Sequence, residues 1–266
     1  MAKLLPGVEA AVRGLSRDGG AAAARAIMTT DSRPKTTVVA GQGWSVGGMA
    51  KGAGMLAPGL ATMLCVLTTD AVVDSRSLQD ALRAATAVTF DRVDSDGCQS
   101  TNDTVLLLAS GASGLSPTED ELVEAVTAAC LDLTMQLLSD AEGSTKDIAI
   151  EVRSAASEAD AVEVGRSVAR NNLVKTALFG ADPNWGRILA AVGTTAAAFE
   201  PDQLSVAVNG VWVCRNGAAA ADRSTVDLKD RAVHLVVDLA AGEHSATVWT
   251  NDLSLAYVHE NSAYST

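Results

Sequence analysis

Residues 47–71 read GGMAKGAGMLAPGLATMLCVLTTDA. Glycines crowd the first half. Met63 to Leu67 is an apolar run closed by Thr68, Thr69 and Asp70. A short apolar run bounded by turn residues reads as a buried strand. Gly-rich backbone leading into it can approach a ligand closely or store strain. On pattern alone this is a tight turn before a core strand. Lys51 is the one charge among small residues. It can hold a substrate carboxylate or sit as a solvent-facing turn lysine.

The pattern on either side alternates helices and strands, which predicts an α/β fold. Upstream, Leu4 to Arg17 and Ala21 to Met28 read as helices. Thr36 to Ala40 and Trp44 to Met49 read as a hairpin around Gly41-Gln42-Gly43. Downstream, Ser75 to Thr89 has amphipathic helical spacing, with Ser77 as its cap. Val105 to Ser110 is a central strand. Thr118 and Glu121 form a capping box for a helix running to about Leu138. Asp147 to Val152 is a strand and Ser157 to Val168 a helix. Asp182-Pro183-Asn184 is a turn, and Ile188 to Thr194 fits helix or strand equally. The last third is strand-like at Leu204 to Val208, Val211 to Cys214, Ala232 to Leu239 and Ser245 to Trp249. A weak helix then reaches Val258 before a polar tail.

The 266 residues are 48% hydrophobic with a net charge of −12. That composition fits a packed globular protein. An acidic surface repels phosphate backbones, so nucleic acid is excluded as a partner. No charge-free apolar run of spanning length occurs, so no membrane association is expected. Four cysteines without a CxxC pair fit free thiols in a reducing, cytoplasmic setting. The three histidines make no metal signature. Asp94, Asp96, Thr101 and Asp103 resemble a calcium loop, but no twelfth-position glutamate follows, so no metal is expected. Asn102 and Asp103 are expected to fix loops through side-chain to backbone bonds. GAGM lacks the spacing of a dinucleotide fingerprint, and no cofactor is expected.

Lys51-Gly52-Ala53-Gly54-Met55, Pro58 and Ala61-Thr62-Met63-Leu64 closely resemble the self-cleavage region of the ornithine acetyltransferase, or glutamate N-acetyltransferase, family. The likeness continues through Met28-Thr29-Thr30-Asp31 with Pro34-Lys35, the Asp140 to Lys146 segment, Leu173 to Arg187, and the ending Tyr257 to Thr266. It implies the fold shared by DmpA and the ornithine acetyltransferases. It also implies self-cleavage at Ala61–Thr62, with Thr62 as nucleophile, and substrate contacts from Lys51, Thr62, Glu142, Asn261 and Thr266. Trp185 and Arg187 would pack a loop near the pocket or a partner chain. The implied division is 1–61 as the end of an α chain, 62–200 as the β-chain core, and 201–266 as a C-terminal subdomain whose tail returns to the site. Two α and two β chains would form a heterotetramer. Family members carry a longer region before the point that matches Met1. In them that region supplies the oxyanion hole, so the hole is expected upstream of Met1 and the sequence reads as N-terminally truncated.

The implied reaction moves acetyl from N-acetylornithine to glutamate, with acetyl-CoA as a further donor in some members. Its chemistry is consistent with the residues. A threonine hydroxyl needs a base beside it, and no histidine lies near Thr62 in sequence. An α-amine, with a pKa of about 7.7–8.0, can serve once the Ala61–Thr62 bond is cut. Two alternatives stay open. One is an N-terminal-threonine amidohydrolase or aminopeptidase, with water as acceptor. The other is an inactive fragment or a non-enzymatic assembly module.

Overall fold

The computed structural model describes residues 4–57, 63–98 and 102–263. Two helices open it, α1 (Leu4–Arg13) and α2 (Gly20–Ala26). Two sheets organise the chain. The first has four strands in the order β1 (Lys35–Ala40), β2 (Ser45–Lys51), β3 (Leu64–Thr69) and β4 (Thr104–Ala109). β1, β2 and β3 pair antiparallel. β4 lies parallel to β3, because a crossover helix, α3 (Ser75–Val88), intervenes. The predicted hairpin is present, with its return strand extended to Lys51.

One face of this sheet is dry. Val46, Ala50, Cys65 and Leu67 point into a cluster with Leu122, Val126, Cys130, Leu133 and Leu137 of α4 (Glu119–Ser139). The predicted capping box starts α4: Thr118 Oγ1 accepts from the Glu121 amide, and the Glu121 carboxylate accepts from the Thr118 amide. By length and composition α4 is apolar enough to cross a membrane. Leu122, Val126, Leu133, Leu137 and Leu138 are instead buried in this core, while Leu131 stays exposed. Cys130 is fully buried among them, as a small hydrophobe. The cap of α3 differs from expectation. Asp74, not Ser77, accepts from the Arg76 and Ser77 amides. A carboxylate one residue before the helix outcompetes a hydroxyl inside its first turn.

The second sheet has six strands in the order β10-β5-β9-β6-β7-β8. These are β5 (Asp147–Ala155), β6 (Ser205–Val208), β7 (Val211–Arg215), β8 (Ala218–Ala219), β9 (Ala232–Asp238) and β10 (His244–Asn251). β5 sits between β9 and β10, so the sheet draws on chain from both sides of residue 200. Its core face carries Ile148, Ile150, Val152, Leu235, Val237 and Val248 against α5 (Glu158–Arg170) and α7 (Trp185–Val192).

Between those helices runs α6 (Asn172–Phe179). The stretch that fitted helix or strand is helix α7, because Asn184 caps it by accepting from the Arg187 amide. Trp185 therefore packs on the second core, and Arg187 donates to the Leu173 carbonyl at 2.7 Å. This places both residues in the α6–α7 corner. The ending is more regular than a frayed tail, since α8 runs from Leu255 to Ala263.

Candidate active site

The site is built where β2 ends and β3 begins. The hairpin register sets Lys51 opposite Leu64, which in turn faces Thr104 on β4. Residues 52–57 are then tied down from three directions. The Gly52 amide donates to Asp31 Oδ1 at 2.7 Å. The Ala53 carbonyl accepts from the Glu142 amide at 2.8 Å, and the Leu56 carbonyl from the Ser95 amide at 2.6 Å. The Met55 amide donates to Asp96 Oδ2 at 2.8 Å.

Ala61 and Thr62 lie outside the described residues, but the chain just beyond them is fixed. The Met63 amide donates to Asp103 Oδ1 at 2.7 Å, and its carbonyl accepts from the Thr104 amide at 3.1 Å. Asp103 therefore does hold a loop through a side-chain to backbone bond. Burial raises its pKa, against the Met63 hydrogen bond and the charge of Lys51. A cleft of about 270 Å³ opens beside this point, lined by Leu56, Ala57, Met63, Phe90, Asp103 and Leu137.

Lys51 is not a solvent-facing turn residue. It is 4% exposed, and its ammonium reaches Thr29 Oγ1 at 3.3 Å. An ammonium buried this far requires polar company.

Glu142 approaches from the other side, in the turn after α4. Gly54 leaves the room it needs, since a Cβ there would stand 2.7 Å from Glu142 Oε2. Burial raises the Glu142 pKa. Neighbouring Glu260 and Asp96 push the same way, and hydrogen bonds from Asn261 and Thr30 oppose them. The turn that carries Glu142 packs against α8 (Leu255–Ala263), which carries Asn261, 119 positions away in sequence. The next residue explains how. Gly143 has a φ of +63°, and a Cβ on it would lie 2.1 Å from the Tyr257 amide nitrogen. Only glycine lets the first turn of α8 press against this turn. Ser254 Oγ donates to the Gly143 carbonyl, and the Asp252 carboxylate accepts from the Thr145 and Lys146 amides at 2.8 Å each. The helix so anchored carries Asn261, which also donates to the Tyr257 carbonyl at 3.0 Å.

Two further expectations fall on the chain ends. Thr266 lies outside the described residues. The oxyanion hole, expected upstream of Met1, also lies outside them.

Lys51, Glu142 and Asn261, with the two anchored ends of the 58–62 segment, thus lie around one stretch of backbone. Opposite charges on its two sides suit a zwitterionic ligand such as an amino acid. Among the described residues no cluster of His, Cys, Asp and Glu has the geometry of a metal centre.

Sequence reading missed three groups. Lys35 is fully buried between Asp31 and Asp140, at 2.5 and 2.6 Å. Lys175 is buried with its ammonium on the Ser95 carbonyl at 2.6 Å, Thr250 Oγ1 at 3.1 Å and the Asn251 carbonyl. Burial lowers the Lys175 pKa to about 8, against the charges of Asp252, Asp96 and Asp94. Asp252, which seats α8, is the third. A lysine flanked by apolar helix positions, as in Leu173-Val174-Lys175-Thr176-Ala177, was the available signal for one of them.

The model of the ArgJ family matches residues 1–266. The chain is 68% identical over 265 residues to the arginine biosynthesis bifunctional protein ArgJ of Streptomyces avermitilis, covering 100% of this chain and 69% of that protein. It is 64% identical over 266 residues to the ArgJ protein of Thermobifida fusca, covering 100% of this chain and 70% of that one. Among solved structures, the ArgJ protein of Bacillus halodurans superposes with a TM-score of 0.70 at 33% identity, over 75% of this chain and 98% of the other. The α/β architecture is therefore the one found in that protein, and by sequence and fold together the chain belongs to the ArgJ family.

Proposed function

We propose that this protein is a glutamate N-acetyltransferase that takes its acetyl group from N2-acetylornithine. The hydroxyl of Thr62 attacks the acetyl carbonyl. An ester forms at Thr62 as the amide C–N bond breaks, and the ornithine nitrogen leaves with a proton. The amine of glutamate then attacks the ester, giving N-acetylglutamate and restoring the hydroxyl. The α-amine of Thr62, freed by self-cleavage after Ala61, shuttles the proton in both halves. That cut yields an α part ending at Ala61 and a β part beginning at Thr62, assembled as two of each. Lys51 takes the substrate carboxylate and Glu142 the ammonium end of acetylornithine. Asn261 and Thr266 are further substrate contacts. The reaction uses no metal or bound cofactor and runs in the cytoplasm.

The observation that carries this reading is the pair of opposite charges, Lys51 and Glu142, joined through the Gly52–Ala53 backbone beside the anchored start of β3. Two measurements test it. Intact mass should show chains ending at Ala61 and starting at Thr62, and Thr62→Ala should remain one chain. Ornithine release from N-acetylornithine should require glutamate and match N-acetylglutamate formation one for one. Ornithine released with free acetate in the absence of glutamate would instead identify a hydrolase. Acetyl-CoA with glutamate, offered without acetylornithine, tests the second donor.

A further inference from the structure

The cleft of about 270 Å³ beside Met63 is larger than an acetyl group needs. Its lining changes from one end to the other. Buried Leu56, Phe90 and Leu137 form a dry floor, and half-buried Leu82 and Val105 stand over it. Gln79, Leu82, Arg83 and Thr86 border it at the i, i+3, i+4 and i+7 positions of α3, so a single helix face makes one wall. Gln79 and Arg83 are exposed and mark the end open to solvent. Met63 and Asp103 mark the inner end, where the Asp103 carboxylate holds the Met63 amide at 2.7 Å. Met63 follows Thr62 directly in the chain.

The cleft is separate from the charges that suit an amino acid. Lys51, Glu142 and Asn261 are not among its lining residues. One strip of backbone serves both places. On the charged side, the Ala53 carbonyl accepts from the Glu142 amide at 2.8 Å. Met55 then turns the chain with a φ of +55°, a left-handed value uncommon outside glycine, and its amide is held by Asp96 Oδ2 at 2.8 Å. Leu56 and Ala57 leave that turn as part of the cleft wall. An N-acyl amino acid held by Lys51 and Glu142, with its carbonyl at Thr62, thus has the cleft on its acyl side. An apolar cavity of about 150 Å³ takes a benzene molecule, so this cleft has volume for a chain of about six carbons. Water filling the same space would find few polar partners among these aliphatic walls.

We infer that this cleft is an acyl-chain subsite, and that the protein transfers straight-chain acyl groups longer than acetyl from N-acylornithine to glutamate. This rests on the reading of Thr62 as nucleophile and of Lys51 and Glu142 as amino-acid contacts. The Thr62 hydroxyl adds to the acyl carbonyl, the amide C–N bond breaks, and the ornithine nitrogen leaves with the hydroxyl proton. The glutamate amine then attacks the ester, N-acylglutamate departs, and the amine proton returns to the Thr62 oxygen. Each further methylene buried in the cleft strengthens binding about fourfold. The gain ends where the chain meets Gln79 and Arg83.

The test offers N-acetyl-, N-butyryl-, N-hexanoyl- and N-dodecanoylornithine with glutamate and reads N-acylglutamate by mass spectrometry. The KM should fall about tenfold from acetyl to butyryl. Hexanoyl should be transferred, and the gain should stop at dodecanoyl, whose chain outruns the cleft. Leu82→Trp and Thr86→Phe each fill the cleft from α3. Thr86 Oγ1 donates to the Arg83 carbonyl of its own helix, so its loss breaks no bond between elements. Both variants should lose hexanoyl transfer by about thirtyfold or more and keep acetyl transfer within about twofold, with thermal unfolding showing that each is folded. Equal KM values for acetyl and butyryl, or filled variants that still transfer hexanoyl, overturn the subsite. Binding separates this from the reading beneath it. Calorimetry on Thr62→Ala, which cannot be acylated at that position, should show N-hexanoylornithine bound more tightly than N-acetylornithine, by about tenfold or more. Adding Leu82→Trp should remove that difference. If the wild-type protein transfers neither group while the difference holds, the Thr62 chemistry has failed and the cleft stands. No difference in binding overturns the cleft, whatever the turnover shows.

Discussion

The two sheets put their charges in opposite places. The six-stranded sheet keeps a dry core on one face and wears ion pairs on the other. There, Arg153 meets Asp238 at 3.1 Å across β5 and β9, and His234 meets Glu151 at 3.0 Å. Arg153 and Arg215 stack on Trp212 at 4.9 and 4.2 Å. The four-stranded sheet does the reverse. Its second face is apolar and open, with Val38, Leu64, Leu106 and Leu108 exposed. Its charges, Lys35, Asp31 and Lys51, are buried at the end where the site forms. The first arrangement is that of a sheet finished against water. The second costs solubility and desolvation energy, and what it provides is a fixed set of charges around a cleft.

The largest expected effect comes from breaking the buried set. Lys35→Met leaves Asp31 and Asp140 without their shared cation, and removal of one partner from a buried ion pair costs about 3–5 kcal/mol. Urea unfolding measures it. Its pH dependence sharpens the comparison. Burial raises the pKa of Asp31, but bonds from Gly52, Lys35 and Thr29 more than offset this, and its net shift is downward. Asp140 is likewise lowered, with Lys35 and Ser32 outweighing burial. A carboxylate with a depressed folded-state pKa contributes stability above its unfolded value, near 3.9, and loses it as pH falls through the folded value. The gap between wild type and Lys35→Met should therefore be full at about pH 6 and shrink below about pH 4. A gap that stays constant down to about pH 2 would mean that the triad is not ionised as drawn.

Next in size is Lys175, at the junction of the two sheets. It joins Ser95, from the four-stranded side, to Thr250 and Asn251 at the end of β10. Lys175→Met orphans these acceptors and should cost about 3 kcal/mol. With the Lys175 pKa at about 8 in the fold and near 10.4 when unfolded, the unfolded state binds the extra proton between those values. The lysine's own contribution to wild-type stability should thus rise with pH over that window. A buried ammonium whose removal cost nothing would show that the sheets are joined by apolar packing alone.

Much of this is legible in the sequence. The capping box at Thr118, the hairpin around residues 41–43 and the strand after Met63 follow from local rules, because the residues that decide them are neighbours. Family resemblance draws attention to Glu142 and Asn261, and the structure packs the turn carrying Glu142 against the helix carrying Asn261. What escapes is long-range. Asp31 and Asp140 are 109 positions apart, and nothing in the turn-like segment 29–35 signals that its lysine is enclosed. Helical spacing alone does not rank Ser77 against Asp74 as the cap of α3. Nor does it separate Lys51 from a surface lysine, since burial is a property of the folded environment.

A smaller effect is expected on the outer face of the six-stranded sheet. Arg153→Ala, Asp238→Ala and the double variant form a cycle that isolates the pair from the stacking on Trp212. Both partners are partly exposed, and solvent screens them, so the coupling should be below about 1 kcal/mol. A coupling as large as the Lys35 effect would erase the distinction between the two sheets.

The smallest effect on stability, and the most visible in behaviour, is expected on the open face of the four-stranded sheet. Register places Val38, Gly47, Thr68 and Leu108 in one row across all four strands. Met49, Val66 and Leu106 form the adjoining row. Val38 is 79% exposed and Leu108 55%. A lysine at either position displaces no packed neighbour, so Val38→Lys with Leu108→Lys should change stability by no more than about 0.5 kcal/mol each. It should sharply reduce binding of a hydrophobic dye and any self-association, since large apolar side chains exposed together on a sheet face favour association. The same two measurements on Arg153→Ala should show no dye effect. If the double lysine variant instead unfolds by several kcal/mol while dye binding is unchanged, these side chains are packed in solution, and the open face of this sheet is as finished as that of its neighbour.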